Sequence, residues 1–117
     1  MKRKARRTRE VALLLLARAH DDDAASRLYF AFLQAAVHCL EKTGRRPSDF
    51  RRDATWWGYR MLVDLVPLLR GRYDDAHLFL RIRALRIQAD YGGASVERRE
   101  VERLRHEVYR FVEEVTG

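Results

Sequence analysis

Polar and apolar positions recur along this chain with the period of an α-helix. The last segment is the clearest. Val101, Leu104, Val108, Phe111 and Val115 stand at heptad spacing, with charged residues at most positions between them. That pattern describes a helix with one face on a core and one in water. Residues 24–42 are apolar on two adjacent seams: Leu28, Phe32, Ala35 and Cys39, then Tyr29, Leu33, Ala36 and Leu40. A helix of this kind is sandwiched between neighbours. Residues 74–90 also carry two seams, Leu78, Ile82, Leu85 and Ala89 beside Leu80, Ala84 and Ile87. A first helix is predicted from Thr8 to Ala19, with Val11, Leu14 and Leu15 on one side. Another is predicted from about Ala54, with Trp56, Trp57, Tyr59, Met61, Leu62 and Leu65; Pro67 should kink or end it.

The breaks between these segments are few. Asp21, Asp22 and Asp23 stop the first helix and offer caps and favourable charge to the second. Gly44 suits the end of the second, Gly71 marks a break, and Gly92-Gly93 stops the fourth. Ser95 is a candidate cap for the last helix. No alternating pattern competes. The expected fold is therefore all-α, a four- to five-helix antiparallel bundle.

At 117 residues the chain is one domain. Its 47% hydrophobic and 35% charged composition is that of a globular protein. The longest apolar run, Val11 to Ala17, is too short to span a bilayer, so no membrane segment is expected and the cytoplasm is the expected compartment. Cys39 stands alone, which excludes an internal disulfide and reads as a small buried hydrophobe. The net charge is +7, and six of the first nine residues are Lys or Arg. Residues 1–9 thus read as a basic tail, Lys2, Arg3, Lys4, Arg6, Arg7 and Arg9, ahead of a bundle over residues 10–117. Such a tail suits nucleic acid or another polyanion, or serves only to keep the chain soluble.

Two polar constellations interrupt the apolar pattern. Arg27, Gln34, His38 and Glu41 make one stripe along the second helix, either a solvent face or the lining of a groove. On the fourth helix Arg86 and Asp90 are four apart. An Arg N-terminal to its Asp is the weaker orientation for helix stability, so that pair invites another role. With Arg83 and Tyr91 it sketches a basic, aromatic-edged pocket for a phosphate and a base. None of His20, His38, His77 and His106 has a second histidine or a cysteine one turn away on its helix, and a zinc site would need ligands from separate helices, so no metal or cofactor is expected.

The stretch Arg86-Ile87-Gln88-Ala89-Asp90-Tyr91-Gly92, taken with Ser26-Arg27-Leu28-Tyr29-Phe30-Ala31-Phe32-Leu33-Gln34-Ala35-Ala36, resembles the HEPN family of small all-α bundles. The resemblance covers roughly residues 10–115. It implies a groove between the second and fourth helices, with Arg27, Tyr29, Gln34 and His38 on one wall and Arg83, Arg86, Asp90 and Tyr91 on the other. It implies a homodimer whose fourth helices share a cleft, an RNA or nucleotide ligand, and a toxin–antitoxin or defence setting with a nucleotidyltransferase as antitoxin partner. Many members are metal-independent ribonucleases in which four to six residues separate the arginine from a following histidine. Here Tyr91, Gly92 and Gly93 lie in that window after Arg86. Gln34 also stands where the family often has histidine. Catalysis is therefore expected to be degenerate or absent, with Arg86, Asp90 and Tyr91 the candidates if it persists. The alternatives are an active endoribonuclease and a pure helical protein-interaction adaptor.

Overall fold

The helix with two apolar seams becomes the centre of the molecule. The computed structural model describes residues 1–46, 58–93 and 95–117. Among these, five helices follow one another without a strand: α1 (Lys2–Ala17), α2 (Asp21–Glu41), α3 (Tyr59–Arg70), α4 (Asp75–Tyr91) and α5 (Arg98–Thr116). α2 packs against all four others. Leu28, Ala31, Phe32, Ala35, Ala36 and Leu40 are at most 1% exposed, as a sandwiched helix requires. Phe32 joins the layers. Its ring centroid lies 4.5 Å from that of Phe79 on α4, at 75°, and 4.3 Å from that of Phe111 on α5. Steep ring angles place the positive edge of one ring on the negative face of the other.

Polar contacts give the helix directions. Arg6 Nε donates to Thr116 Oγ1 at 2.9 Å and Arg9 Nη1 to Glu113 Oε1 at 2.6 Å, so α1 and α5 are antiparallel. Ser26 at the start of α2 meets Asp90 at the end of α4, so these two are antiparallel as well. α2 and α5, however, run the same way: Arg98 bonds Asp21 at their starts, and Lys42 Nζ donates to the Val115 carbonyl at their ends. The bundle is thus mixed in direction rather than uniformly antiparallel.

Several boundaries differ from expectation. α1 begins at Lys2, not Thr8, so residues 2–9 are a helix and not a tail. Its buried face is Ala5, Arg9, Ala12 and Leu16, again at heptad spacing, while Leu14 is 60% exposed. Small alanines let α1 approach α2 closely, so its core face carries little of the large apolar signal that marks helices. Its end is a Schellman turn, with His20 N–H donating to the Leu15 carbonyl and Ala19 N–H to that of Leu16. Ala19 holds the left-handed position at φ 60°.

The three aspartates form the first turn of α2, where their charge suits the helix dipole. Asp22 Oδ1 also accepts the Val96 N–H at 2.9 Å, which ties the entry of α5 to α2. α5 starts at Arg98 after Glu97, so Ser95 is not its cap. Its five heptad positions are all buried. Pro67 lies inside α3, which continues to Arg70. The same turn type closes α3, with Gly71 left-handed at φ 65° and Arg72 N–H on the Pro67 carbonyl. On α4 only the Leu78, Ile82 and Leu85 seam is buried; Leu80 and Ile87 are exposed. The expected start of the third helix at Ala54, with Trp56 and Trp57, lies outside the described residues.

One ionic cluster locks the α3–α4 turn to α5. Arg70 Nε donates to Asp75 Oδ2 at 2.7 Å and Nη2 to Glu114 Oε2 at 2.5 Å. Burial works against the Arg70 charge, but its bonds to Glu114 and Asp75 outweigh that and raise its pKa. Cys39 is half-buried near this cluster, and burial pushes its thiol up, away from reactivity.

Candidate nucleotide-binding groove

Arg86 sits where the second and fourth helices meet. Its guanidinium carbon lies 5.0 Å from the ring centroid of Tyr29, 5.7 Å from Phe30 and 5.9 Å from Tyr91. Its Nε is 3.0 Å from Asp90 Oδ2, but the N–H is not aimed at that oxygen and finds no hydrogen-bond acceptor among the described residues. Asp90 Oδ1 accepts a 2.5 Å hydrogen bond from Ser26. The chain Arg86–Asp90–Ser26 therefore joins the end of α4 to the start of α2. Gly92 follows directly, and its N–H donates to the Gln88 carbonyl at 2.9 Å. A Cβ there would lie 2.5 Å from that carbonyl oxygen, so the turn needs glycine.

A cavity of about 660 Å³ opens beside this brace, lined by Val11, Leu15, Asp23, Ser26, Arg27, Phe30, Arg86 and Asp90. The sequence places Arg27, Arg86 and Asp90 together correctly. Tyr91 borders Arg86 but is 74% exposed. Arg83 does not join them: it turns toward α3 and stacks on Tyr59, 5.0 Å from the ring centroid. Tyr59 in turn donates its hydroxyl to the Phe79 carbonyl at 2.9 Å, and burial raises its pKa.

The polar stripe of α2 is likewise divided. Gln34 lines a separate, largely apolar cavity of about 410 Å³ with Tyr29, Phe30, Tyr59, Leu62 and Lys4. His38 lies farther along, under the N-terminus of α1. Burial lowers its pKa first, then the nearby charges of Lys42 and the chain's amino group. Glu41 at the end of the stripe is 3.9 Å from that amino group. The N-terminal turns of α1, rather than α4, border the Gln34–Glu41 half of the stripe.

α1 sorts its cations by face. Arg6 and Arg9 point to α5 and meet Glu113 and Thr116. Arg3, Lys4 and Arg7 point the other way and, with Thr8, Val11 and Arg27, line a cavity of about 660 Å³. Arg3, Lys4, Arg7 and Arg27 have no ion-pair partner among the described residues, and no carboxylate lines this cavity. It shares Arg27 and Val11 with the Arg86 cavity and Lys4 with the Gln34 cavity. Three concavities thus meet along one seam of α1 and α2. Ser26, Phe30 and Tyr59 were not among the residues assigned from sequence; they depend on which helix faces which.

None of the four histidines lines the Arg86 cavity. Among the described residues no group of three or more metal-ligating side chains converges, and no helix is long and apolar enough to cross a membrane. The chain matches no protein-family model and no curated protein.

Proposed function

We propose that this chain is a HEPN-type module that binds RNA or a nucleotide along the α1–α2 seam and does not cleave it. The observation that carries this reading is the set of four unpaired cations, Arg3, Lys4, Arg7 and Arg27, held on two packed helices around one cavity. Each cation left without a carboxylate is available to a phosphate, and arginine meets phosphate through two parallel N–H groups. Arg86 is caged by rings and braced by Asp90, so it forms the end wall of the groove rather than its phosphate clamp. A cleaving site needs a group that moves protons near neutral pH, and no histidine lines that wall.

The chain works as a homodimer in this proposal. Leu80, Ala84, Ile87 and Tyr91 recur at three- and four-residue steps on the outer face of α4. Leu80, Ile87 and Tyr91 are 58%, 42% and 74% exposed. A charge-free stripe on one helix is self-complementary across a two-fold axis, so a second copy covers it. The toxin–antitoxin or defence setting and the nucleotidyltransferase partner follow from the family resemblance, and the cytoplasm is the compartment expected from the short apolar runs of the sequence.

The test is fluorescence anisotropy with a labelled single-stranded RNA, repeated across a salt series. Wild type binds at low salt with a steep salt slope. The double variant Arg3→Glu/Arg7→Glu loses at least tenfold in affinity and flattens the slope, because fewer counterions are released. The RNA stays intact throughout. Binding unchanged by the double variant, or no binding at low salt, removes the proposal and leaves the adaptor reading.

A further inference from the structure

We infer that the Gln34 cavity is a pocket for one unpaired nucleobase, so that the ligand is a single strand or a mononucleotide rather than a duplex. This rests on the reading of the α1–α2 seam as the phosphate track. The cavity holds about 410 Å³, ample for a base, and lies between α1, α2 and α3. Its walls are aromatic: Tyr29, Phe30 and Tyr59. Every base has a flat π-face that stacks on such rings.

The polar content of the pocket is specific. Gln34 Oε1 is buried and has no hydrogen-bond partner among the described residues. Burying an amide oxygen without a donor destabilises a fold, so native structures rarely keep one. That oxygen is closed to solvent, and a turn of the carboxamide about its last torsion brings it to the cavity that Gln34 lines, where an N–H donor on the ligand meets it. A carboxamide presents an acceptor beside a donor, and the hydrogen-bonding edge of a base presents the complementary pair. A carboxamide can also meet the outer edge of a paired adenine, but a base enters a cavity walled by rings only when it is out of the duplex stack. Lys4 stands at the mouth, shared with the cationic cavity, so a base seated against Gln34 hands its phosphate to Lys4 and the arginines beyond.

The experiment compares four probes: oligo(A) RNA of about ten nucleotides, the same strand annealed to oligo(U), AMP, and inorganic polyphosphate of matched charge. Wild type binds the single strand at least tenfold more tightly than the duplex or polyphosphate. Gln34→Leu abolishes that preference and leaves polyphosphate affinity unchanged. The same variant melts at a higher temperature than wild type, because it removes a buried unmatched amide. A structural role for Gln34 gives the opposite shift in melting. Saturable AMP binding lost in Gln34→Leu assigns the pocket to a mononucleotide; binding of the oligonucleotide alone assigns it to a strand. Equal affinity for duplex and single strand, or a Gln34→Leu variant that keeps the preference, overturns the inference while the cationic groove stands. Failure of every probe to bind removes the underlying reading as well.

Discussion

Arg9 decides whether the basic N-terminus is structure or appendage. It occupies a core position of α1 between Ala5 and Ala12 and is 6% exposed. Its guanidinium carbon sits 4.3 Å from the ring centroid of Tyr109, and its Nη1 is 2.6 Å from Glu113. The Glu113 carboxylate is held below the usual carboxylate range, chiefly by that hydrogen bond, but it lies in solvent and so adds little to stability. The main losses on truncation to Ala are the two buried stem methylenes beyond Cβ, about 0.8 kcal/mol each, and the stacked ring, about 0.5–1 kcal/mol. Arg9→Ala is therefore expected to destabilise by about 2–3 kcal/mol. Arg9→Met keeps the stem and removes Nε, which is buried with no acceptor among the described residues. It should stay within about 1 kcal/mol of wild type. Urea unfolding followed by far-UV circular dichroism measures both. If Arg9→Ala shifts stability by less than about 0.5 kcal/mol, as surface substitutions do, residues 2–9 are a tail after all. If Ala and Met cost the same, the packing account of Arg9 is wrong.

Two further outcomes follow from the geometry. Ala19 holds the left-handed position of the α1 Schellman turn, a conformation that disfavours a Cβ, so Ala19→Gly should raise stability by about 0.5–1 kcal/mol; a lowered urea midpoint contradicts the turn as described. Wild type should sediment as a dimer at tens of micromolar, and Leu80→Arg should make it a monomer with an unchanged far-UV circular dichroism spectrum; a monomeric wild type, or a dimeric variant, shows that the outer face of α4 is not the interface.

The elements readable from the sequence were those whose core face carries large side chains. α5 keeps five apolar residues at heptad spacing among charges, and all five are buried. Six of the eight positions in the twin seams of α2 are buried and Leu33 and Cys39 are half-buried, as a central helix apolar on two faces requires. α1 departs from its expected bounds for the converse reason. Its core face is Ala5, Arg9, Ala12 and Leu16, two of which carry a single methyl and one a charge. The larger Leu14 points outward, so side-chain size marks the wrong face of this helix. The second seam of α4 shows the same limit from the other side. Periodicity finds apolar stripes, but it does not say whether the protein's own core or another molecule covers them.

The candidate site divides in the same manner. Spacing along one helix correctly joined Arg86 with Asp90, because positions four apart share a face in any α-helix. It did not find Ser26 or the separation of Arg83 from Arg86, since both depend on the neighbour that each face of α4 meets. The largest change concerns the cations. A flexible tail that binds a polyanion loses conformational freedom on binding, and this opposes the gain from phosphate contacts. On α1 that freedom is already lost in folding, through Ala5 against α2 and Arg6 and Arg9 against α5. The same contacts that neutralise Arg6 and Arg9 fix the rotation of α1 and turn Arg3, Lys4 and Arg7 toward Arg27. Two cations of the basic segment thus serve as the mounting for three others. For that reason the Arg9 variants reach beyond stability. Arg9→Ala loosens α1 against α5, and its loss of stability should be matched by weaker RNA binding even though Arg9 does not line the groove.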